Sequence, residues 1–167
     1  MQLLISDANV LIDMEDGNLI HVVFRLNCEI MVPDILFESE LKEHHEHLLK
    51  AGLKVKSLSS EFVEMAETLG NKHSRTSVMD RLALALAMQE RCCLLTGDKD
   101  LRIAAIAEGI VVHGTVLIVE ELLKVKLIEQ AQAKESFASM KEKGRRLPWG
   151  DIDKMLAKSE IVRVTNE

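Results

Sequence analysis

The chain has 167 residues, of which 47% are apolar and 29% are charged, which is ordinary composition for a globular protein. This length suits one domain with a sizeable core. Aromatic residues make up only 3% of the chain, with one Trp and no Tyr. A base-stacking surface of the kind that single-strand binders use is therefore hard to assemble, and we expect any bound nucleic acid to be held by its backbone.

The net charge of −6 argues against a nucleic-acid partner, but the charge is unevenly spread. Residues 124–163 carry 10 Lys and Arg against 6 Asp and Glu, a net charge of +4, which leaves −10 for the remainder. An acidic body with a basic C-terminal part fits a metal-dependent enzyme that acts on a polyanion. A solvated helical face would give the same charge distribution.

The N-terminus leads directly into an apolar strand, without the charged and then apolar segments of a secretory leader. No apolar run reaches the length needed to span a membrane. We therefore expect a cytoplasmic protein without a membrane partner.

Short apolar runs alternate with longer stretches of helical periodicity along the first three quarters of the chain. Strands are predicted at 2–6, 29–32, near residue 55, at 92–96 and at 110–113, with helices at 7–16, 18–26, 33–49, 60–69, 80–90, 98–108 and 116–125. From residue 126 the pattern changes to helices at 126–143 and 151–158, followed by an edge strand at 161–164.

The repeated strand-helix order predicts an α/β fold with a mostly parallel sheet between layers of helices. We expect residues 1–125 to form this core and residues 126–167 to form a helical C-terminal extension packed on the same domain.

Acidic residues follow two of the predicted strands. Asp7 comes after Leu3-Leu4-Ile5 and Asp98 after Cys93-Leu94-Leu95, while Asp80 opens an Ala- and Leu-rich helix. In an open α/β sheet the ligand crevice lies beyond the carboxyl ends of the strands, so Asp7 and Asp98 are expected to meet there. Carboxylates gathered in this way are suited to Mg²⁺ or Mn²⁺, which take oxygen ligands and keep several waters.

Each acid also has a purely structural interpretation. Asp80 and Asp98 could simply stabilise helix N-termini, where negative charge is favourable by about 0.3–1 kcal/mol. Ser77-x-x-Asp80 resembles a capping box in which Asp replaces the usual Glu or Gln. Asp100 could be an exposed residue of the first helical turn. Asp7 is harder to explain structurally, since no basic neighbour in sequence accompanies it.

Taken together, these motifs resemble the PIN-domain nuclease family over nearly the whole chain. The resemblance is carried by Asp7 with Asn9, Ser77-Val78-Met79-Asp80, Thr96-Gly97-Asp98-x-Asp100-Leu101-Arg102, His113-Gly114-Thr115 and the tail segment Gly144-Arg145-Arg146-Leu147-Pro148. The last two are similar to the prokaryotic, VapC-toxin-like branch. The resemblance implies a three-layer α/β/α sandwich, Mg²⁺ or Mn²⁺ as cofactor, and hydrolysis of single-stranded RNA, with an antitoxin protein and a second copy of the chain as partners.

The resemblance also assigns roles to single residues. It places Asp7, Asp80 and Asp98 as metal ligands, Asp100 as an accessory acid, and Asn9, Thr96 and Ser77 in supporting polar positions. One Glu is expected on the helix after the second strand, where counting from Pro33 falls on Ser39, between Glu38 and Glu40. Two residues that are two positions apart on a helix cannot both face the pocket. Glu38, which follows the apolar run Ile35-Leu36-Phe37, is slightly preferred, and Glu40, which precedes Leu41, is kept as an almost equal alternative. Lys99, Arg102, Arg145 and Arg146 are candidate nucleic-acid contacts, although surface solvation or packing would also account for them.

The leading hypothesis is therefore a metal-dependent endoribonuclease. One alternative is a binding module with the same fold and little catalysis, in which changing Asp98 has no effect. A weaker alternative is an aspartate-nucleophile phosphatase acting through Asp7, which is disfavoured because Asn9 stands where such enzymes carry a second Asp.

Overall fold

The computed structural model describes the backbone of residues 2–164 and the side chains of residues 2–157. Five strands form one sheet in which every neighbouring pair is parallel, in the order β3-β2-β1-β4-β5. The strands are β1 (Gln2–Ser6), β2 (Cys28–Pro33), β3 (Lys54–Lys56), β4 (Cys93–Leu95) and β5 (Val112–His113). The prediction of an α/β fold with a parallel sheet between helices is confirmed.

Helices connect all the strands and continue beyond the last one. They are α1 (Ala8–Asp16), α2 (Ile20–Val23), α3 (Asp34–Leu36), α4 (Lys42–His45), α5 (His47–Ala51), α6 (Ser60–Lys72), α7 (Val78–Glu90), α8 (Lys99–Ala107), α9 (Thr115–Lys124), α10 (Gln130–Glu142) and α11 (Trp149–Val164). A π-helical turn (Phe37–Leu41) joins α3 to α4. Because a turn of this kind is wound more loosely than an α-helix, the predicted single helix at 33–49 is interrupted.

The sheet is buried because apolar side chains cover it. Ile5 and Leu94, at the centre of β1 and β4, are completely buried, and α7 packs against β1, β2 and β4. On α7, residues 82–87 alternate Leu and Ala, and all of them are buried. The small alanines allow the helix to lie close to the sheet. Each fully buried Leu or Ile contributes about 1.5–3 kcal/mol relative to an exposed one.

The strand order places the two acidic motifs together. From β1 the chain builds the sheet outward through β2 and β3, and later outward in the other direction through β4 and β5. The order therefore reverses between β1 and β4, and a parallel sheet opens a crevice at such a point, beyond the carboxyl ends of the strands. Asp7 follows β1 directly, and Asp98 follows β4 by three residues.

The C-terminal part differs from the sequence-based expectation in two ways. Residues 126–129 form a turn that begins with Lys126 in the left-handed region (φ 59°), so α10 starts at Gln130. The edge strand predicted at 161–164 was wrong, because these residues continue α11 as helix. The β-branched residues there favour a strand only when they pair with another strand, and in this structure they add to neither of the edge strands, β3 and β5.

The extension packs on the core through α10, which contacts α1 and α9 and also supports α11. Among the residues that the structure describes, no helix combines the length and the apolarity needed to cross a membrane.

Candidate active site

Asp7 is the centre of the site. It caps the N-terminus of α1 by accepting a hydrogen bond from the Val10 backbone N–H through Oδ1 (2.9 Å), and its Oδ2 accepts the Thr96 hydroxyl (2.5 Å). Only 4% of the residue is exposed. Burial raises the pKa of Asp7 to about 6, although the two hydrogen bonds oppose the rise, and the charges of Asp80 and Asp13 add to it.

Thr96 links the ends of β1 and β4. The residue is fully buried, its hydroxyl donates to Asp7, and its Oγ1 accepts the Asp98 backbone N–H at 3.0 Å. The backbone N–H of Asp7 in turn donates to the Leu95 carbonyl oxygen at 3.0 Å. The two strand ends are therefore held in a fixed relation by both backbone and side-chain hydrogen bonds.

Asp98 caps α8 in the same way that Asp7 caps α1. Its Oδ1 accepts the Leu101 backbone N–H at 2.8 Å, and the side chain is exposed at the rim of a cavity of about 370 Å³. Asn9, Gly97 and Arg145 line the same cavity.

Asp80 reaches the site from the first turn of α7. The Ser77 hydroxyl accepts the Asp80 backbone N–H (3.1 Å), and Asp80 Oδ2 accepts the Ser77 N–H (2.8 Å), so the predicted capping box is present. The charge of Asp80 raises the pKa of Asp7 and, after a larger contribution from burial, that of Glu40. The charge of Asp80 therefore acts on both Asp7 and Glu40.

The π-helical turn carries both candidate glutamates, Glu38 and Glu40. Both side chains are exposed, and Glu38 forms an ion pair with Lys42, one turn along (2.7 Å). Desolvation and then the charge of Asp80 raise the pKa of Glu40, so Glu40 lies within electrostatic reach of Asp80. The Ser39 hydroxyl lies 3.6 Å from the Met79 sulfur, which places this turn beside the start of α7. The placement favours Glu40 over the slightly preferred Glu38.

Asp100 and Lys99 lie outside this group of contacts. Asp100 forms an ion pair with Arg75 (3.3 Å), on the loop before α7. Lys99 is exposed at the start of α8.

A further acid, Asp13, connects the C-terminal extension to the site, and the sequence analysis did not single it out. Asp13 on α1 is buried, accepts the Thr115 hydroxyl at 2.6 Å, and accepts Arg145 Nε at 2.5 Å. Arg145 also donates through Nη2 to the backbone and side-chain oxygens of Asn9, both at 3.2 Å. The only sequence signal for Asp13 was a charged residue within the apolar period of α1.

The acids of the site are chemically suited to bind a hard divalent cation, but in this structure they stand too far apart to do so together. Asp7, Glu40, Asp80 and Asp98 offer only carboxylate oxygens, the ligands that Mg²⁺ and Mn²⁺ take. Within residues 2–157, however, no group of three or more His, Cys, Asp or Glu residues is arranged so that it could hold a metal ion. Joint coordination by these acids therefore requires their side chains to move closer together than they stand in this structure.

The comparisons with known proteins agree with this architecture. Residues 3–160 match the family of PIN domains termed DUF3368. The chain belongs to the PIN-domain family. PIN domains are typically nucleases, and the match covers both the sheet and the helical extension of this one. No curated protein matches the sequence.

Two solved structures show the same fold as this PIN domain. A PilT N-terminus domain protein, SSO1118 from Sulfolobus solfataricus P2, is 14% identical, with a TM-score of 0.50 over 74% of this chain and 94% of that one. A chain of VapBC2 from Rickettsia felis, bound to a DNA fragment from their promoter, is 13% identical, with a TM-score of 0.50 over 68% of this chain and 98% of that one. At such identities the similarity concerns the fold alone.

Proposed function

We propose that this PIN domain is an endoribonuclease that uses Mg²⁺ or Mn²⁺ to hydrolyse single-stranded RNA. The supporting observation is the set of acids around Asp7 at the reversal point of the sheet. Asp7 is buried, and two further acids, Asp80 and Asp13, raise its pKa. Among the described residues its side-chain hydrogen-bond partners are a hydroxyl and a backbone N–H, and neither carries a positive charge. A buried carboxylate without a cation is costly, and a bound cation would remove that cost.

Asp7, Glu40, Asp80 and Asp98 are the residues that would hold the cation, with Glu38 as the alternative to Glu40 and Asp100 as an accessory acid. A bound divalent cation supplies a water of lowered pKa and neutralises charge on the phosphate. Thr96 fixes the orientation of Asp7 through a direct hydrogen bond, and Ser77 does the same for Asp80. Asn9 is held by Arg145 at the rim.

In the reaction, water adds to phosphorus and the bond from phosphorus to the 3′ oxygen breaks. The 3′ oxygen takes up a proton, so the products carry a 5′-phosphate and a 3′-hydroxyl. The choice of RNA as substrate rests on the resemblance of the motifs to the family.

The decisive test is cleavage of a mixed single-stranded RNA pool in Mn²⁺ and in EDTA. Asp7→Asn and Asp98→Asn are compared with Asp153→Asn, a change of the same type at an exposed position of α11. All proteins are purified in parallel to reveal contaminating ribonuclease. We expect cleavage by the wild type and the control only, and none in EDTA. Equal cleavage by all variants, or cleavage that persists in EDTA, would refute the proposal.

The same experiment separates the alternatives. RNA binding without cleavage, unaffected by Asp98→Asn, would indicate a non-catalytic binding module. A phosphorylated protein with an acyl-phosphate on Asp7 would indicate a phosphatase.

We also propose that the chain is the toxin of a toxin-antitoxin pair and works as a homodimer. The support for the antitoxin is the likeness in fold to a chain of the VapBC2 assembly, and the support for the dimer is the resemblance of the motifs to the family, whose members often pair. A small protein encoded beside this gene should copurify with the chain and suppress its cleavage activity. If no such neighbour exists, or if it leaves cleavage unchanged, the antitoxin proposal fails. Light scattering that gives a monomer would refute the dimer.

A further inference from the structure

A second and larger cavity adjoins the acidic site. It measures about 700 Å³ and shares Gly97 and Arg146 with the cavity of about 370 Å³ that contains Asp98. We call it the arginine groove. Its walls come from α8, β5, the first turns of α9, and the segment that leads into α11, and include Arg102, Val116, Leu117, Arg146, Leu147 and Pro148.

Two arginines of the arginine groove stand next to the acids. Arg102 lies one helical turn after Asp98, and its backbone N–H donates to the Asp98 carbonyl oxygen at 3.0 Å. Its guanidinium packs against Gly114, where an added Cβ would lie 3.5 Å from Nη2. Arg146 lies at the junction of the two cavities. Two guanidinium groups thus line the groove close to the candidate active site.

Arg102 and Arg146 differ from Arg145 in their ion pairs within the described side chains. Arg145 is held by Asp13, but within residues 2–157 neither Arg102 nor Arg146 forms an ion pair. A guanidinium has five N–H donors that match phosphate oxygens. Two unpaired guanidiniums on one cavity therefore favour an anionic ligand with more than one phosphate.

The rest of the groove suits the other parts of a nucleotide. Val116, Leu117 and Leu147 provide apolar surface, while Glu120 and Asp151 are exposed carboxylates on the same cavity. These carboxylates can accept hydrogen bonds from ribose hydroxyls and from base amino groups. The volume falls within the range of about 300–1,000 Å³ that is typical of small-ligand pockets.

We infer that the arginine groove binds the nucleotides of single-stranded RNA that flank the scissile phosphate, with Arg102 and Arg146 on the backbone phosphates. This inference rests on the proposed function for its substrate class. It gives the C-terminal extension a role in binding, because residues 146–151 form one wall of the groove.

The test measures binding apart from cleavage. Fluorescein-labelled single-stranded RNA is titrated with protein in EDTA, followed by anisotropy, at several salt concentrations. The double variant Arg102→Gln with Arg146→Gln is compared with Arg25→Gln, an exposed arginine that precedes β2 and so lies near the amino ends of the parallel strands, away from the acids at their carboxyl ends. Thermal unfolding confirms that all proteins are folded.

We expect the double variant to raise Kd about tenfold and to reduce the slope of log K against log salt by about 1.4, since each lost phosphate contact on a single strand accounts for about 0.7. The Arg25 variant should change neither. With Mn²⁺, the double variant should raise KM while kcat stays near that of the wild type. Equal Kd and equal salt slopes for the double variant and the wild type would overturn the inference.

Failure of the proposed function gives a different pattern. If the wild type binds RNA through Arg102 and Arg146 but does not cleave it in Mn²⁺, the groove is supported and the nuclease is refuted. If the wild type cleaves and the double variant binds and cleaves equally well, only the groove is refuted.

Discussion

Replacing Asp7 by Asn is expected to stabilise the metal-free protein at neutral and alkaline pH. The folded-state pKa of Asp7 is about 6, against 3.8 for an unperturbed Asp. This corresponds to about 3 kcal/mol, at about 1.4 kcal/mol for each tenfold change in proton affinity. The folded protein holds the proton more tightly than the unfolded chain does. The carboxyl group therefore costs no stability below pH 3.8, and the full penalty is reached once the pH has risen through 6.

The amide keeps most of the geometry. Asn is as good an N-cap as Asp, so it can still accept the Val10 N–H. It cannot accept the Thr96 hydroxyl at the same time with equal ease, because an amide has one acceptor oxygen and Asp7 uses two. Losing one such hydrogen bond costs about 1 kcal/mol, so a net gain of about 2 kcal/mol remains.

The measurement is urea unfolding in EDTA at about pH 8 and about pH 4, on either side of the raised pKa. Asp7→Asn should exceed the wild type in free energy of unfolding at the higher pH and show no gain at the lower. Asp153→Asn serves as the control and should match the wild type at both. Adding Mn²⁺ should stabilise the wild type and not Asp7→Asn. If Asp7→Asn is destabilised equally at both pH values, the carboxylate is not under electrostatic stress and the reasoning fails.

Three further changes test the neighbouring contacts. Glu40→Gln should weaken Mn²⁺ binding by about tenfold or more, measured by calorimetry. Glu38→Gln should have little effect, and similar losses of affinity from both variants would contradict the preference for Glu40. Asp13→Ala should lower the free energy of unfolding by about 1–3 kcal/mol in urea, because it leaves the buried Thr115 hydroxyl without its acceptor and Arg145 with only the longer contacts to Asp16 (3.7 Å) and Asn9 (3.2 Å). A loss below about 1 kcal/mol would show that this ion pair is dispensable. Thr96→Val should lower the free energy of unfolding by about 1–3 kcal/mol. It also removes the hydrogen bond that lowers the pKa of Asp7, so the loss of stability with rising pH should extend to a pH above 6 in the metal-free protein. An unchanged pH profile would contradict this.

The parts of the site that obey local rules could be predicted from the sequence. An apolar run followed by Asp7 predicts a buried strand that ends in an acid, and the reversal of strand order places that acid beside Asp98. The Ser77-x-x-Asp80 spacing predicts the capping box that the structure contains. Each motif is recognised within a few residues, and the proximity of Asp7 and Asp98 follows from the general position of ligand crevices in open α/β sheets.

The remaining features depend on geometry that short motifs do not encode. The π-helical turn at Phe37–Leu41 interrupts the expected helix, and an assumed α-helical period cannot reveal such a turn. The contact of Asp13 with Arg145 joins residues 132 positions apart, through the packing of the extension on α1. The helical backbone at 161–164 continues α11 despite the β-branched residues there, because strand preference depends on pairing that the local sequence does not specify. The division of the chain at residue 125 stays a prediction.

Capping and metal binding need not be competing explanations of the acids. Asp98 uses only Oδ1 to cap α8, and Asp80 uses only Oδ2 in its capping box, so within the described residues the second oxygen of each accepts no hydrogen bond. Capping fixes the orientation of the carboxylate, and the other oxygen is left for a ligand. The helix N-termini also offset some repulsion, by about 0.3–1 kcal/mol each. For Asp7 the hydrogen bond at the N-terminus of α1 is already included in the raised pKa, which still disfavours the ionised form by about 3 kcal/mol, so capping alone does not balance its charge. A cation would.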